Sequence, residues 1–516
     1  VKKSALCLGL AILLALASVH RATAAAFTVT NLADLGAGSL RQAVGNANAL
    51  AGADDVLFAP GLTGTVTLTS GEILITDSLT VHGPGAAVLT VSGNDNSRIF
   101  HVENSAVALP IDVTLSGLTL THGFSALAGG AVFADSENLT ILDSIVSNST
   151  SGVQQDASPD GCGGNVGFFG ATGGALRIAN STLTNGFSLG INSAGSGGNL
   201  CVFQGTLLLE RSTLSGGTAD FGGGLFLESL TADSTISLST LSGNQGTRSG
   251  GGIYSESLGA VLTIDSSTIS GNNGGSPSPS FAGFGGGIEV DQGTLRILNS
   301  TISGNRGNGG GGGIYFPGGA ESSLLLRLTT VSNNTAGFDG GGILVANPAV
   351  QAQLDHSIVA NGTPQDVATL GSPPVTPPAT FTTNYTLIET VGDVLVVGAN
   401  NLLGVDPLLG PLANNGGPTL THLPLPGSPV INAGNPAIPS PPPADQRGFA
   451  RIVGAAVDLG SVEVEQQATV EVPTLSQVGL LILSALLFAA GLLRLRRARG
   501  KDGGIVAFHQ RRGRLR

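Results

Sequence analysis

Three acidic residues recur at one offset in this chain. Glu228, Glu256 and Asp291 each stand three residues after the apolar residue that closes a Gly-rich step. One residue after that apolar position stand Phe226, Tyr254, Glu289 and Tyr315. In an extended segment both offsets lie on the same face. If such segments stack in register, neighbouring carboxyls come within about 4.8 Å of one another. Carboxyls that close do not all ionise freely; they share a proton or hold a cation. Oxygen ligands of this kind suit Ca²⁺, while no other cofactor is indicated. Three readings follow. The face is a solvated acidic surface, or a glycan- or cation-binding groove built on Phe226, Tyr254, Glu289 and Tyr315. Alternatively Glu228, Glu256 and Asp291 form a glycosidase or lyase site, because carboxyls about 5 Å apart can cleave glycosidic bonds.

Stacking is what the repeats imply. Gly250-Gly251-Gly252-Ile253 returns at Gly285 to Ile288, Gly311 to Ile314 and Gly340 to Ile343. Ser239-Thr240-Leu241-Ser242 returns as Ser267-Thr268-Ile269-Ser270 and Ser300-Thr301-Ile302-Ser303. Constant phrases at a drifting period of roughly 26 to 37 residues mean constant strands and variable loops. Three residues after the central apolar residue of the second phrase come Asn244, Asn272, Asn305 and Asn334. Asn accepts a left-handed backbone cheaply, so each coil is expected to turn there. Stacked Asn side chains could also bond from coil to coil. The short segments alternate apolar and polar residues, as in Val261-Leu262-Thr263-Ile264, and no helical period runs through them. The fold expected is all-β: a right-handed parallel β-helix, or solenoid, with capped ends.

Composition narrows the partners. Of the 516 residues 80 are Gly, and the net charge is −12. Between Phe27 and Leu493 there are 10 Arg and no Lys against 33 Asp plus Glu. Such a surface repels nucleic acid. His residues are scattered, which leaves any metal ligands unknown. Cys162 and Cys201 sit at offsets that differ by five residues relative to Val166 and Leu200, so they pair only if a loop folds back. β-Helix pectin hydrolases carry Asn-Thr-Asp, Asp-Asp and Gly-His-Gly elements on neighbouring coils; none stands in this array. Without Lys, a lyase base would have to be an Arg.

The two ends carry further signals. Lys2-Lys3, the apolar run Ala5 to Val19 and Ala24-Ala25-Ala26 have the three parts of an export leader, with cleavage expected between Ala26 and Phe27. Ser39 can cap a helix whose apolar face is Leu40, Ala43, Val44 and Ala47. Gly38-Ser39-Leu40-Arg41-Gln42-Ala43 resembles the Cys-Ser-Leu-Arg-Glu-Ala element of exported bacterial β-helix proteins, with Gly38 and Gln42 replacing its Cys and Glu. Near the other end, Leu475 to Leu493 is apolar and Arg494, Arg496 and Arg497 follow. That pattern predicts a transmembrane helix with a cytoplasmic tail. Val472-Pro473-Thr474-Leu475-Ser476, with Gly479 and the Arg cluster, resembles the Ile-Pro-Thr-Leu type of C-terminal sorting signal. The resemblance implies an exosortase-type membrane protease as partner. Asn415-Gly416-Gly417-Pro418-Thr419 and Asp445-Gln446-Arg447-Gly448 resemble the terminal segment of bacterial surface β-helix proteins.

The expected organisation is a signal peptide over 1–26, an N-terminal cap and first coils over 27–110, and β-helix repeats over 111–363. A Pro-rich linker and C-terminal cap follow over 364–470, then a sorting signal over 471–499 with its membrane helix at 475–493, and a basic tail over 500–516. The expected protein is exported, at the cell surface or released, with an inner-membrane-anchored precursor. It acts by binding a polysaccharide or a host or matrix surface. The balance lies against catalysis, with a polysaccharide-degrading enzyme or a structural spacer as the alternatives.

Overall fold

The computed structural model describes residues 24–104, 110–152, 161–188, 190, 195–275, 283–319, 321–371, 377–464 and 477–499. The chain divides into two units, Val1–Val464 and Glu465–Arg516. The first is an all-β right-handed parallel β-solenoid. One coil illustrates the rest. Ile253–Asp265 covers the first face and bends onto the second, Thr268–Ser270 forms the third, and Asn273–Gly274 a short fourth. Each pairs in parallel with the same segment of the coils before and after it. The inward positions are Ile, Leu and Val, and they form one continuous apolar core.

Two left-handed corners close every coil. The first falls on Asp143, Asn180, Arg211, Leu238, Ser266, Asn299, Leu328 and His356, all at φ between 44° and 52°. Non-Gly residues pay for that conformation, and a column of hydroxyls behind the corner offsets the cost. Ser181 Oγ accepts from Ser144 N at 3.1 Å, Ser212 Oγ from Ser181 N at 3.1 Å, and Ser267 Oγ from Ser239 N at 3.1 Å. This column is the first Ser of each Ser-Thr phrase. The second corner lies at Gly216, Gly243, Gly271, Gly304 and Asn333. It is one residue earlier than expected from the Asn positions.

Those Asn side chains do a different job: they turn inward and form a ladder. Asn244 Nδ2 donates to Asn272 Oδ1 at 2.9 Å, Asn272 to Asn305 at 3.0 Å and Asn305 to Asn334 at 3.0 Å. Where the chain carries Gly186 or Gly217 at the Asn position, Asn165 and Asn199 enter from the opposite side and continue the ladder.

The helix α1, Leu40–Asn48, buries Leu40, Ala43, Val44 and Ala47 against the first strands. Ser39 Oγ caps it by accepting from Gln42 N at 3.2 Å. Residues 1–23, most of the expected leader, lie outside the described residues. Ala26 and Phe27, the expected cleavage position, lie in the strand Ala26–Val29, which pairs with Asp54–Phe58.

The segment 409–464 runs back along the flank of the third face. Outward side chains there are half-buried or exposed at Thr119, Ile145, Thr182, Thr213 and Thr240, but buried at Thr268, Thr301, Thr330, Ile358 and Leu387. The change marks where the segment begins to cover them. Gln446 pins it: Oε1 accepts from Thr301 Oγ1 at 2.6 Å, and Nε2 faces Thr268 Oγ1 at 3.0 Å and Ser267 O at 3.1 Å. Replacing Gln446 by Leu removes these bonds at about 0.5–1.5 kcal/mol each, although Thr301 Oγ1 keeps Ser461, Thr268 Oγ1 keeps Leu420 O and Ser267 O keeps Thr301 N. Limited proteolysis should then cut within 409–464 faster than in wild type; an unchanged rate would mean that apolar packing alone holds the segment.

The C-terminal helix requires a correction. Gln477–Arg499 is helical, α2. Its uncharged part ends at Leu493, about 26 Å at 1.5 Å per residue, before Arg494 and Arg496 interrupt it. The hydrocarbon core of a bilayer is about 30 Å thick. Among the described residues no helix is long and apolar enough to cross a membrane. The expected transmembrane span therefore falls, and with it the membrane as a partner, the exosortase-processed anchor and the inner-membrane precursor. Val472, Pro473, Thr474, Leu475 and Ser476 lie outside the described residues. Gly479, Arg494, Arg496 and Arg497 lie within α2.

Candidate functional site

The first face carries the outward columns. Phe226 pairs with Tyr254, Tyr254 with Glu289, Glu289 with Tyr315 and Tyr315 with Leu344. Outward does not mean solvent-exposed here. Phe226 and Tyr254 are each 7% exposed, Glu289 5% and Tyr315 9%. A further ladder ahead of the Gly-rich steps, Cys162, Ser196, Phe221, Ser249 and Phe284, folds back over this column. Phe221 meets Tyr254 at 5.2 Å between ring centroids, and Phe284 stacks on Tyr315 at 4.6 Å. Sequence reading missed this cover, because Phe221, Ser249 and Phe284 precede the Gly phrases and share no residue type.

The Gly phrases make the fold-back feasible. The leading Gly250, Gly285, Gly311 and Gly340 hold φ between 57° and 61°. At the middle position, a Cβ on Gly286 would meet Arg306 C at 2.2 Å and Gly312 O at 2.5 Å. Only Gly lets the backbones approach so closely.

The same fold-back unites two cysteines. Cys162 and Cys201 form a disulfide with Cα atoms 5.4 Å apart. The turn at Gly163, φ 75°, returns Cys162 over the outward face, where Cys201 already points. This resolves the five-residue offset.

Glu289 is the most perturbed acid of the column. Burial pushes its carboxyl well above the usual range. The nearby Asp291 charge adds to this, while hydrogen bonds from Ser249 and Gly250 oppose it. Its Oε2 has no hydrogen-bond partner. Asp291 does not stack on Glu256. The pairing slips between Ser255 and Glu256, so Glu256 faces Gln292 and Asp291 is the extra residue of a bulge. Bulges re-aim side chains, and this one brings Asp291 Oδ2 to 2.6 Å from the Tyr254 hydroxyl, which donates to it. Burial raises the Tyr254 phenol, as do its bond to Asp291 and the charges of Asp291, Glu289 and Glu256. One phenol is thus ringed by three carboxyls.

Glu228 and Glu256 are direct neighbours on adjacent strands. Burial raises Glu228, and the charge of Glu256 adds to the rise. Of the three carboxyls expected to form one row, two do so and the third turns toward Tyr254 and Glu289.

Beside Glu289 lies a cavity of about 620 Å³, within the size range of small-molecule sites. Glu289, Asp291 and Glu321 bring its carboxyls, Phe284 and Tyr315 its rings, and no lining residue is basic. Among the described residues no group of three or more His, Cys, Asp or Glu is arranged to hold a metal ion.

No family model matches this sequence, and no curated protein does. Among solved structures the chain is similar to pectate lyase Pel9A, at 14% identity and a TM-score of 0.40. The match covers 86% of this chain and 96% of that one. That likeness extends to the solenoid fold alone. The expected balance against catalysis is corrected at this point. A buried Glu, whose carboxyl burial raises well above its usual range, stands beside further carboxyls at a cavity.

Proposed function

We propose that the chain is a glycan-cleaving hydrolase whose site centres on Glu289. The observation that carries this reading is the carboxyl of Glu289, buried at the wall of the cavity beside Asp291, where burial raises its proton affinity. A glycosidase needs such a group to protonate the leaving oxygen, and a second carboxylate to activate water.

Glu256 is the second carboxylate. Glu289 pairs with Tyr254, so Glu256 is its diagonal neighbour across two adjacent strands. Strands about 4.8 Å apart and two residues of about 3.3 Å rise place the two backbones about 8 Å apart, a spacing compatible with the carboxyl separation of inverting enzymes, at about 6.5–9.5 Å. Glu289 gives its proton to the glycosidic oxygen as the C–O bond breaks. Glu256 takes a proton from the water that attacks the anomeric carbon on the opposite side. Asp291 touches the acid and is itself held by the Tyr254 hydroxyl, so it positions the acid and sets its proton affinity. Elimination is the less supported chemistry, because no Lys or Arg lines the cavity to take up a proton in its neutral form.

The test is reducing-end release from a panel of polysaccharides by the full chain, with the product anomer followed by proton NMR. Inverted product is expected, with Glu256→Gln slowing turnover at least about a hundredfold. Retained configuration would remove Glu256 from this role, and an unsaturated product would replace hydrolysis by elimination.

A further inference from the structure

The charge of the cavity says which glycan it can hold. Glu289, Asp291 and Glu321 face one space with no basic residue among the lining side chains. Glu228 and Glu256 extend the acidic strip along the same face. Glu289 Oε2 is buried yet has no donor, at the wall of a cavity wide enough for a ligand to bring one. A uronate chain would place its own carboxylates against these acids, and like charges repel. An ammonium group reverses that sign at Asp291 and Glu321 and supplies the donor that Glu289 Oε2 lacks.

We infer that the cavity takes a glycan bearing free amino groups, a cationic hexosamine chain, with its ammonium on Asp291 and Glu321 and a sugar face against the Phe284–Tyr315 pair. The inference rests on the hydrolase reading for the position of the scissile bond. Glu321 sits at the exposed rim in the turn after Gly318 and Gly319, where an incoming cation meets it first.

Titration calorimetry on the full chain tests it with three oligosaccharides of equal length: glucosamine, N-acetylglucosamine and galacturonate. Each is measured in EDTA and in Ca²⁺. The glucosamine oligomer should bind at least about tenfold more tightly than either of the others, and its affinity should fall as salt is raised. Glu321→Gln should narrow that preference severalfold; the side chain is exposed, so the variant folds. Galacturonate binding as tightly as glucosamine, in either buffer, overturns the inference. So does equal binding of the free and acetylated amines. A product assay separates the two proposals. Free-amine binding without any cleavage keeps this inference and removes the hydrolase. Cleavage with no preference for the free amine does the reverse.

Discussion

Glu289→Gln should abolish turnover while leaving the fold at least as stable as wild type. The amide matches the shape of the protonated carboxyl but cannot give up a proton to a leaving oxygen. Loss of a positioned general acid costs about 10²–10⁴ in rate. The sign of the pH effects makes the prediction specific. Burial raises the carboxyl of Glu289 in the folded chain. Its contribution to stability is therefore complete below the usual carboxylate range and is lost as pH rises through the raised value. Activity should show a basic limb at the same place, since only the protonated form can act. The Gln variant mimics that form at every pH, so its denaturation midpoint should decline less than that of wild type, the remaining slope coming from Asp366 and Glu463, which burial also raises, to about 6 and about 7. A variant that retains more than a tenth of wild-type turnover would remove Glu289 from the chemistry.

Asn305→Leu should cost the solenoid about 4 kcal/mol, near the middle of the range for two stranded groups. Asn305 Nδ2 donates to Ile269 O at 2.9 Å and to Asn334 Oδ1 at 3.0 Å, and its Oδ1 accepts from Asn272 N at 3.0 Å. All of these lie in the interior. Leu fills a similar volume but leaves the backbone N–H and one side-chain N–H of Asn272 unpaired, at about 1–3 kcal/mol each, while Asn334 Oδ1 keeps Asn305 N. Coils contact mainly their neighbours, so the damage should spread from that point along the stack. Chemical denaturation followed by circular dichroism measures the shift, and hydrogen exchange should show the coils around Ile269 and Asn334 opening first. A midpoint within about 0.5 kcal/mol of wild type would mean that the ladder does not hold the stack.

Much of this was legible in the residues. The Ser-Thr phrases and Gly steps recur because every coil solves the same two corners, and inward Ile, Leu and Val alternate with outward residues by the period of two of a strand. Register between coils followed from that period, which is why Phe226, Tyr254, Glu289 and Tyr315 fall in one column. Local chemistry stopped there. Whether Asn272 or Gly271 takes the left-handed corner depends on what the Asn side chain meets in the next coil. Which outward residues are buried depended on a ladder that folds over them, through Phe221, Ser249 and Phe284, and on the segment 409–464 lying along the far flank. The bulge that turns Asp291 away from Glu256 is a slip of pairing between two strands, invisible in either alone.

The sequence by itself determined the repeating strand, its inward face and the acids on its outward side, because these depend on periods of two residues and on residue type. Only the tertiary structure decided which acid is buried and so raised furthest in proton affinity. That depends on how much water reaches Glu289 and how near Asp291 comes, and both distances run across coils rather than along the chain.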